Sequence, residues 1–384
     1  MANTLTGAID AILNNRALDV LREQSIMPRL VNRDIADVSG VKGQTVTIAV
    51  ADSNNSARDV TAGRTGTNIT VVATTKTVTL NQWRETGHDI TDKEFEEIME
   101  GYLPAQAEED LRALVNDVDQ RIHNELRKKT YQWAGTAGTT PFGTNLGVFK
   151  TTRAKLSTSL APLDNRRVVL DPDAEGNALI LGNFLQAEQR GDQGGVISGV
   201  IGHKLGADWM MSQNVRTHTS GSISKVTSVL TNGSVIAGLA TLVLDRASFT
   251  GTLLTGDLFS VGSQQFVVTA TVTAASSAIT VGVSPVLSAA IADGQAVTFA
   301  SKSVSDTWVD NLHFHKDALA FASRPLTRSA QAGLGSTFGT IVDPVSGLAI
   351  RAEISRQHRQ TSFRWDILFG MTTVRPELSS RILG

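Results

Sequence analysis

The stretch from Pro104 to Trp133 limits the folds open to this chain more than any other, because it reads as one long amphipathic helix. Pro104 suits a first helical turn, where a missing N–H costs nothing. Glu108, Glu109 and Asp110 lie near the positive end of the dipole, Arg127, Lys128 and Lys129 near the negative end, and Gly135 supplies a stop. Ala107, Leu111, Leu114, Val115, Val118, Ile122 and Leu126 recur at three- and four-residue steps, which puts them on one buried stripe. Glu108 with Arg112, Asp117 with Arg121, and Glu125 with Lys129 are i,i+4 pairs in the favourable order. At 1.5 Å per residue the helix is roughly 45 Å long, more than the width of an ordinary small domain. It is either a strut along an elongated subunit or a long core helix of a globular protein.

Upstream, Thr4 to Arg22 carries a stripe of Ile9, Ile12, Leu13, Ala17, Leu18 and Leu21, a short helix that needs a surface to lie on. Pro28 ends it. Thr45 to Val50 alternates as a strand, and Ile69 to Val72 with Thr77 to Leu80 read as returning strands. Between them, Ala51 to Asn68 is small and polar, with Asp52, Arg58, Asp59 and Arg64. A two-stranded arm with a polar tip is not stable by itself. It reads either as an ordinary surface hairpin or, given its length and scant apolar surface, as an arm reaching onto an adjacent subunit.

Thr91 with Glu94 forms a capping box ahead of a short helix over Phe95 to Met99. Beyond the long helix come a loop (Gly135 to Thr144), a helix (Phe149 to Leu160), a strand (Arg167 to Leu170) ending at Asp171-Pro172, a helix (Asn177 to Leu185) and a Gly-rich loop (Gln186 to Ile201). Composition then changes. From Ser222 to Ala300 the charged residues are Lys225, Asp245, Arg246, Asp257 and Asp293. Short β runs over Thr241–Leu244, Leu258–Val261, Gln265–Val272, Ala278–Val283 and Ala296–Phe299 predict an inserted antiparallel barrel or sandwich. Asn311 to Ala322 begins as a strand or turn and becomes a short helix. Gly333 to Gly339 is a glycine loop, and Leu348–Ser355 pairs with Thr361–Phe369 across Arg356 to Gln360. Arg375-Pro376-Glu377-Leu378 closes the chain. The class is α+β.

Chemistry is sparse. A net charge of −2 argues against a dedicated nucleic-acid binder. Cys is absent, which removes disulfides, thiolate metal sites and a thiol nucleophile. Nothing at Met1 reads as a signal peptide and no apolar run is long enough to span a bilayer, so the expectation is a soluble chain made in a cytoplasm. Gly333-Leu334-Gly335 with Gly339 has the wrong spacing for a dinucleotide fingerprint. His313 and His315 would share a strand face, but no other histidine stands at a ligand spacing from them. Asp171 and Asp173 are turn formers, and Glu96-Glu97 and Glu108-Glu109 are explained by solvation or the helix dipole. The expectation is no catalytic residue, no cofactor and no metal.

Several stretches, taken in order, resemble a known family. Leu30-Val31-Asn32-Arg33-Asp34 followed by Gly43-Gln44-Thr45-Val46-Thr47-Ile48 resembles the N-terminal arm and first extended-loop strand of tailed-bacteriophage major capsid proteins. Asp89-Ile90-Thr91-Asp92-Lys93-Glu94 is similar to the segment ahead of their long helix. The run from Asn311 to Ala322 with Arg324-Pro325-Leu326, then Phe369-Gly370 and Arg375-Pro376-Glu377, is the most specific match. Trp209 to Gly221 resembles the entry to the inserted domain of the P-twenty-two type coat proteins.

The resemblance implies the Hong-Kong-ninety-seven capsid fold. It implies an N-terminal arm (1–43), an extended loop (44–82) and a peripheral domain (83–150) built on a spine helix (104–134). It also implies an axial domain (151–221), an inserted all-β domain (222–300) and a return to the axial and peripheral domains (301–384). The implied function is mechanical: hexamers and pentamers of the chain close into an icosahedral procapsid with a scaffolding protein and a portal. That shell expands as double-stranded DNA is packaged, in the host cytoplasm, to give the virion; no membrane takes part. Arg33, Asp34, Asp52, Arg58, Asp59 and Arg64 are the expected subunit contacts, and Leu111, Leu114, Val115, Val118, Ile122 and Leu126 the spine-helix core. The alternatives are an encapsulin-like compartment shell, and a surface adhesin that binds a ligand through the β domain.

Overall fold

The computed structural model describes residues 25–33, 45–50, 62, 74–97, 102–185, 199–223, 228–246, 250–274, 277–301, 307–326, 336–343 and 345–384. The Thr4–Arg22 stripe, the strand over Ile69–Val72, nearly all of the Ala51–Asn68 tip and most of the Gln186–Ile201 loop lie outside these residues.

A single turn, α1 (Met27–Leu30), leads into an extended segment in which Asn32 bridges Ala320 in parallel. Strands β1 (Thr45–Val50) and β2 (Thr74–Thr79) pair antiparallel from Thr45–Thr79 to Val50–Thr74. The sequence assigned this arm too little apolar surface to pack on its own domain. Its root does pack there: Val46, Val78 and Leu80 are buried with Ala320 and Ala322. The alternation placed these side chains on one face, and that face meets its own sheet.

Strand β3 (Gln82–Thr91) runs into α2 (Asp92–Glu97). The capping box at the join is formed: Thr91 N donates to Glu94 Oε2 at 2.9 Å and Glu94 N to Thr91 Oγ1 at 3.3 Å. The long helix is α3 (Tyr102–Lys129), 28 residues and so about 42 Å long. It stops short of Trp133. Thr130 Oγ1 turns back to the Leu126 carbonyl at 2.8 Å, and Trp133–Gly135 leaves the helix as strand β4. A paired strand outweighs four further residues of helix propensity here.

Helix α4 (Gly147–Thr158), β5 (Arg166–Leu170), α5 (Pro172–Ile180) and α6 (Gly182–Leu185) follow. Helix α5 begins at Pro172 instead of Asn177, because Asp171 caps it by accepting from Ala174 N. Strands β6 (Gly202–Lys204), β7 (Ala207–Met211) and β8 (Thr217–Thr219) complete this part.

Strands β9 (Leu230–Thr231), β10 (Thr241–Asp245), β11 (Gly251–Leu253), β12 (Leu258–Val261), β13 (Gln264–Val268), β14 (Val272–Ala274), β15 (Ala278–Ser284) and β16 (Val297–Phe299) come next. They form a six-stranded sheet, β16-β12-β13-β15-β10-β9, and a β11–β14 pair. Leu242, Leu244, Phe259, Phe266, Val281 and Val283 fill a core of their own.

Strand β17 (Thr307–His315) passes through a 3-10 turn (Lys316–Ala318) into β18 (Leu319–Arg324). The sequence predicted a short helix here. Pairing with β21 across Leu319–Arg324 claims the segment as strand instead. Strands β19 (Ser336–Val342), β20 (Ala349–Gln357) and β21 (Gln360–Thr373) follow, with β20 and β21 joined at His358 and Arg359. These two carry φ of +50° and +62°, the handedness of a two-residue hairpin. Strand β19 takes up the end of the predicted glycine loop. Chain closure at Arg375–Leu378 is also corrected, because a buried strand, β22 (Ser379–Leu383), follows it.

Two sheets organise the main body. One has the order β18-β21-β20-β19, with β3 also paired to β21 along Gln360–Phe369. The other runs β4-β22-β17-β5-β7-β6, with β8 on β17. The long helix packs Leu111, Leu114, Val118, Ile122 and Leu126 into a core shared with Phe314, Phe321, Trp365, Ile367 and Phe369. Each such fully buried side chain contributes about 1.5–3 kcal/mol. Val169 joins this core, while Val168 and Leu170 point to a second core under α4 and α5.

Candidate assembly elements and a buried ionic junction

The six residues of the predicted helix core are all buried; the most exposed, Leu114, reaches 3%. Arg33 lies against the β19–β20 turn, where a Cβ on Gly347 would meet its Nη1 at 2.7 Å. Asp34, Asp52, Arg58, Asp59 and Arg64 lie outside the described residues.

The segment before Arg33 is fixed to the body at several points. Ile26 N and Met27 N each donate to the Asp119 carboxylate at 3.2 Å. Arg167 Nη1 donates to the Arg29 carbonyl at 3.0 Å, and Asn32 Nδ2 to Asp317 Oδ1 at 2.7 Å. Burial pushes the Asp119 carboxyl up to about 7, against the two amides, Asn214 and Arg29, which favour the charged form. With a folded value above the unfolded one, the folded chain retains the proton. This contribution to stability is complete below the unfolded value of 3.8 and is lost as pH rises through about 7. Denaturant unfolding at pH 5 and pH 8 should therefore show a smaller difference in Asp119→Asn than in the parent; equal differences would remove Asp119 as the source.

Beyond Asp119, the same ridge of α3 carries His123 and Arg127, each four residues on and each buried. Burial, helped by Arg127, holds His123 down at about 3, so it is neutral. Arg127 Nη1 donates to Asp310 Oδ2 at 3.0 Å and lies 3.1 Å from His218 Nδ1. A guanidinium only donates, so Nδ1 accepts and the imidazole proton sits on Nε2. That nitrogen donates to Asp257 Oδ1 at 2.8 Å. Asp257 Oδ2 also accepts from Leu254 N at 2.8 Å and Gly221 N at 3.1 Å.

Arg381 of β22 enters from the other side. Its Nη1 reaches Gly256 O at 3.0 Å and Asp310 Oδ2 at 3.4 Å, and its Nε reaches Thr130 O at 3.1 Å. Trp308 Nε1 donates to Asp310 Oδ1 at 2.9 Å. Burial raises the Asp310 carboxyl, but Arg381 and Arg127 outweigh it and hold the group below the usual range. Burial lowers Arg381 to about 10, still well above neutrality. Two arginines and two aspartates thus face one another around His218, joining α3, β17, β22 and the β9–β16 region. An apolar seam runs beside them: Leu258, Val267 and Ala300 against Trp308, Leu383, Tyr131 and Trp133. Gln265 Oε1 accepts from Lys155 Nζ at 2.7 Å and Trp133 N at 3.3 Å, a further tie across the seam.

The junction has the makings of a joint and not of a reaction centre. Both nitrogens of His218 are occupied, and the ring is 5% exposed against Trp308. His313 and His315 do share β17, but each is engaged: His313 Nδ1 lies 3.1 Å from Thr152 Oγ1, and His315 Nδ1 accepts from Asp317 N at 3.3 Å. The sequence carried one usable signal for the junction. Asp119, His123 and Arg127 stand at four-residue steps directly beside the apolar stripe, where a solvated face would not be. Asp310, Arg381 and Asp257 had no such signal, since their partners lie far away in the chain.

No protein-family model matches the sequence, and no curated protein does. Solved structures do. The structure of Mycobacterium phage Che8 is 17% identical, with a TM-score of 0.52 over 94% of this chain and 91% of that one. The capsid of cyanophage P-SCSP1u is 11% identical, with a TM-score of 0.48 over 89% of this chain and 83% of that one. The mature capsid of bacteriophage PhiM1 is 9% identical, with a TM-score of 0.46 over 94% and 86%. At such identity the likeness is one of fold: this chain is similar in fold to the Che8 phage structure over nearly the whole length of both.

Proposed function

We propose that this chain is the major capsid protein of a tailed bacteriophage, a structural subunit that assembles with copies of itself into an icosahedral shell around double-stranded DNA. The observation that carries the reading is the long helix α3 laid over a sheet from which a hairpin arm departs, in a chain with the fold of a phage structure. The architecture is of the Hong-Kong-ninety-seven type. The β9–β16 region is the inserted β domain of the P-twenty-two branch, and β4-β22-β17-β5-β7-β6 belongs to the axial domain. Hexamers and pentamers, a scaffolding protein and a portal are the partners, and the virion is the destination. A net charge of −2 suits a shell that must enclose DNA without gripping it.

Hairpin-tip charges Asp52, Arg58, Asp59 and Arg64, with Arg33 and Asp34, make contacts between subunits. The test is deletion of residues 54–67, which leaves the buried root of Val46, Val78 and Leu80 intact. Electron microscopy of the deleted chain should find folded subunits or capsomers without closed shells. Normal, stable shells would sink the arm assignment.

A further inference from the structure

Among its 384 residues the chain has one Asn-Gly step, Asn232-Gly233, and one Asp-Gly step, Asp293-Gly294. They stand 60 residues apart, and the fold sets them side by side. Gly233 N donates to Asp293 Oδ1 at 2.7 Å, and Gly294 N to the Thr231 carbonyl at 2.9 Å. This is the seam where the two ends of the six-stranded sheet meet. Leu230 of β9 bridges Ala296, Thr231 N donates to the Gln295 carbonyl at 2.9 Å, and Val297 N of β16 to the Val229 carbonyl at 3.0 Å. Both glycines have left-handed backbone, φ +78° and +71°, so turn geometry accounts for their presence. It does not dictate which acceptor meets the Gly233 N–H, and here that acceptor is a carboxylate.

Asn232 is exposed, and its carboxamide makes no hydrogen bond among the described residues. Rotation about its Cα–Cβ bond can therefore carry Cγ to the Gly233 nitrogen. The approach is open, since nothing lies within 4 Å of the place a Cβ on Gly233 would take. The obstacle is the amide proton, because a protonated amide nitrogen is a poor nucleophile. Asp293 Oδ1 lies within general-base reach of that proton. We propose that Asn232 is a self-deamidating site with Asp293 as its base. Gly233 N bonds to Asn232 Cγ as Asp293 takes the amide proton; the Cγ–Nδ2 bond breaks, and ammonia leaves with that proton. Solvent water then opens the five-membered imide at either carbonyl, leaving aspartate or its β-linked isomer at 232. Nothing is oxidised or reduced. The seam gains a carboxylate beside Asp293, and like charges set against each other across strands weaken their pairing.

The test is ageing of the full chain, read by mass and isoaspartyl content on the tryptic peptide 226–246, in which Asn232 is the sole Asn or Gln. The parent is compared with Asp293→Ser, where serine still offers the Gly233 N–H an acceptor but no base. The folded parent should convert at least as fast as the same chain unfolded in urea. Below pH 7 its rate should stay nearly level, because the base is internal. Asp293→Ser should convert about tenfold or more slowly, at a rate that follows hydroxide. Aged parent should unfold at lower urea than fresh parent. A folded parent that keeps its amide while the unfolded chain loses it would overturn the site. Conversion in Asp293→Ser as fast as in the parent, or faster, would overturn the base. Identical unfolding of fresh and fully converted chains would overturn the effect on the seam.

Discussion

Replacing Asp310 with alanine is expected to lower the unfolding free energy by about 3–5 kcal/mol, the cost of leaving buried charges without their partner. Asp310 is fully buried and receives Arg127, Arg381 and Trp308. Its removal strands two guanidiniums that are only 7% and 0% exposed. The surface pair Arg84–Asp117 is the contrast. It is closer, at 2.9 Å, but its side chains are 46% and 30% exposed. Arg84→Ala should therefore cost under about 1 kcal/mol. Urea titrations of the three proteins measure both. Equal, small losses would mean that the junction is hydrated and does not hold the β9–β16 region to α3.

Aspartate at Leu114 or Val118 is expected to abolish soluble folding. Both side chains are buried, at 3% and 0% exposure, in the core that α3 shares with Phe314, Phe321 and Phe369. A carboxylate there has no cation within the stripe, and its desolvation alone amounts to several kcal/mol. Natural domains hold only about 5–15 kcal/mol in total, so a penalty of that size removes much or all of it. The expected result is expression into the insoluble fraction. Leu114→Asp or Val118→Asp chains that remain soluble and unfold cooperatively like the parent would disprove the packing of the helix.

Period and punctuation made much of this fold legible. The stripe from Leu111 to Leu126 placed the core face of α3, Thr91 with Glu94 marked the start of α2, and Arg356 to Gln360 marked a hairpin. Each rests on neighbours in sequence. The misreadings share the opposite cause. Trp133–Gly135 and Leu319–Arg324 are strands because of partners far along the chain, β22 and β21. Ser379-Ser380-Arg381 has no strand-like alternation, yet every residue of β22 is buried. The junction was hidden for the same reason. Asp119, His123 and Arg127 could be seen as odd members of an apolar ridge, but not what they would meet.

The join between Arg381 and Thr130 spans 251 residues. Closing a loop of that length demands far more configurational entropy than the hairpins between β12 and β13 or β20 and β21. The β9–β16 strands, by contrast, find their neighbours within one short stretch of chain. Local sheets can thus zip early, whereas β22 must thread between β4 and β17 after the segments separating them exist. Until that happens Asp310 has Arg127 but not Arg381 as its partner. The topology therefore acts as a clock, making the completed junction a late event in the maturation of each new polypeptide.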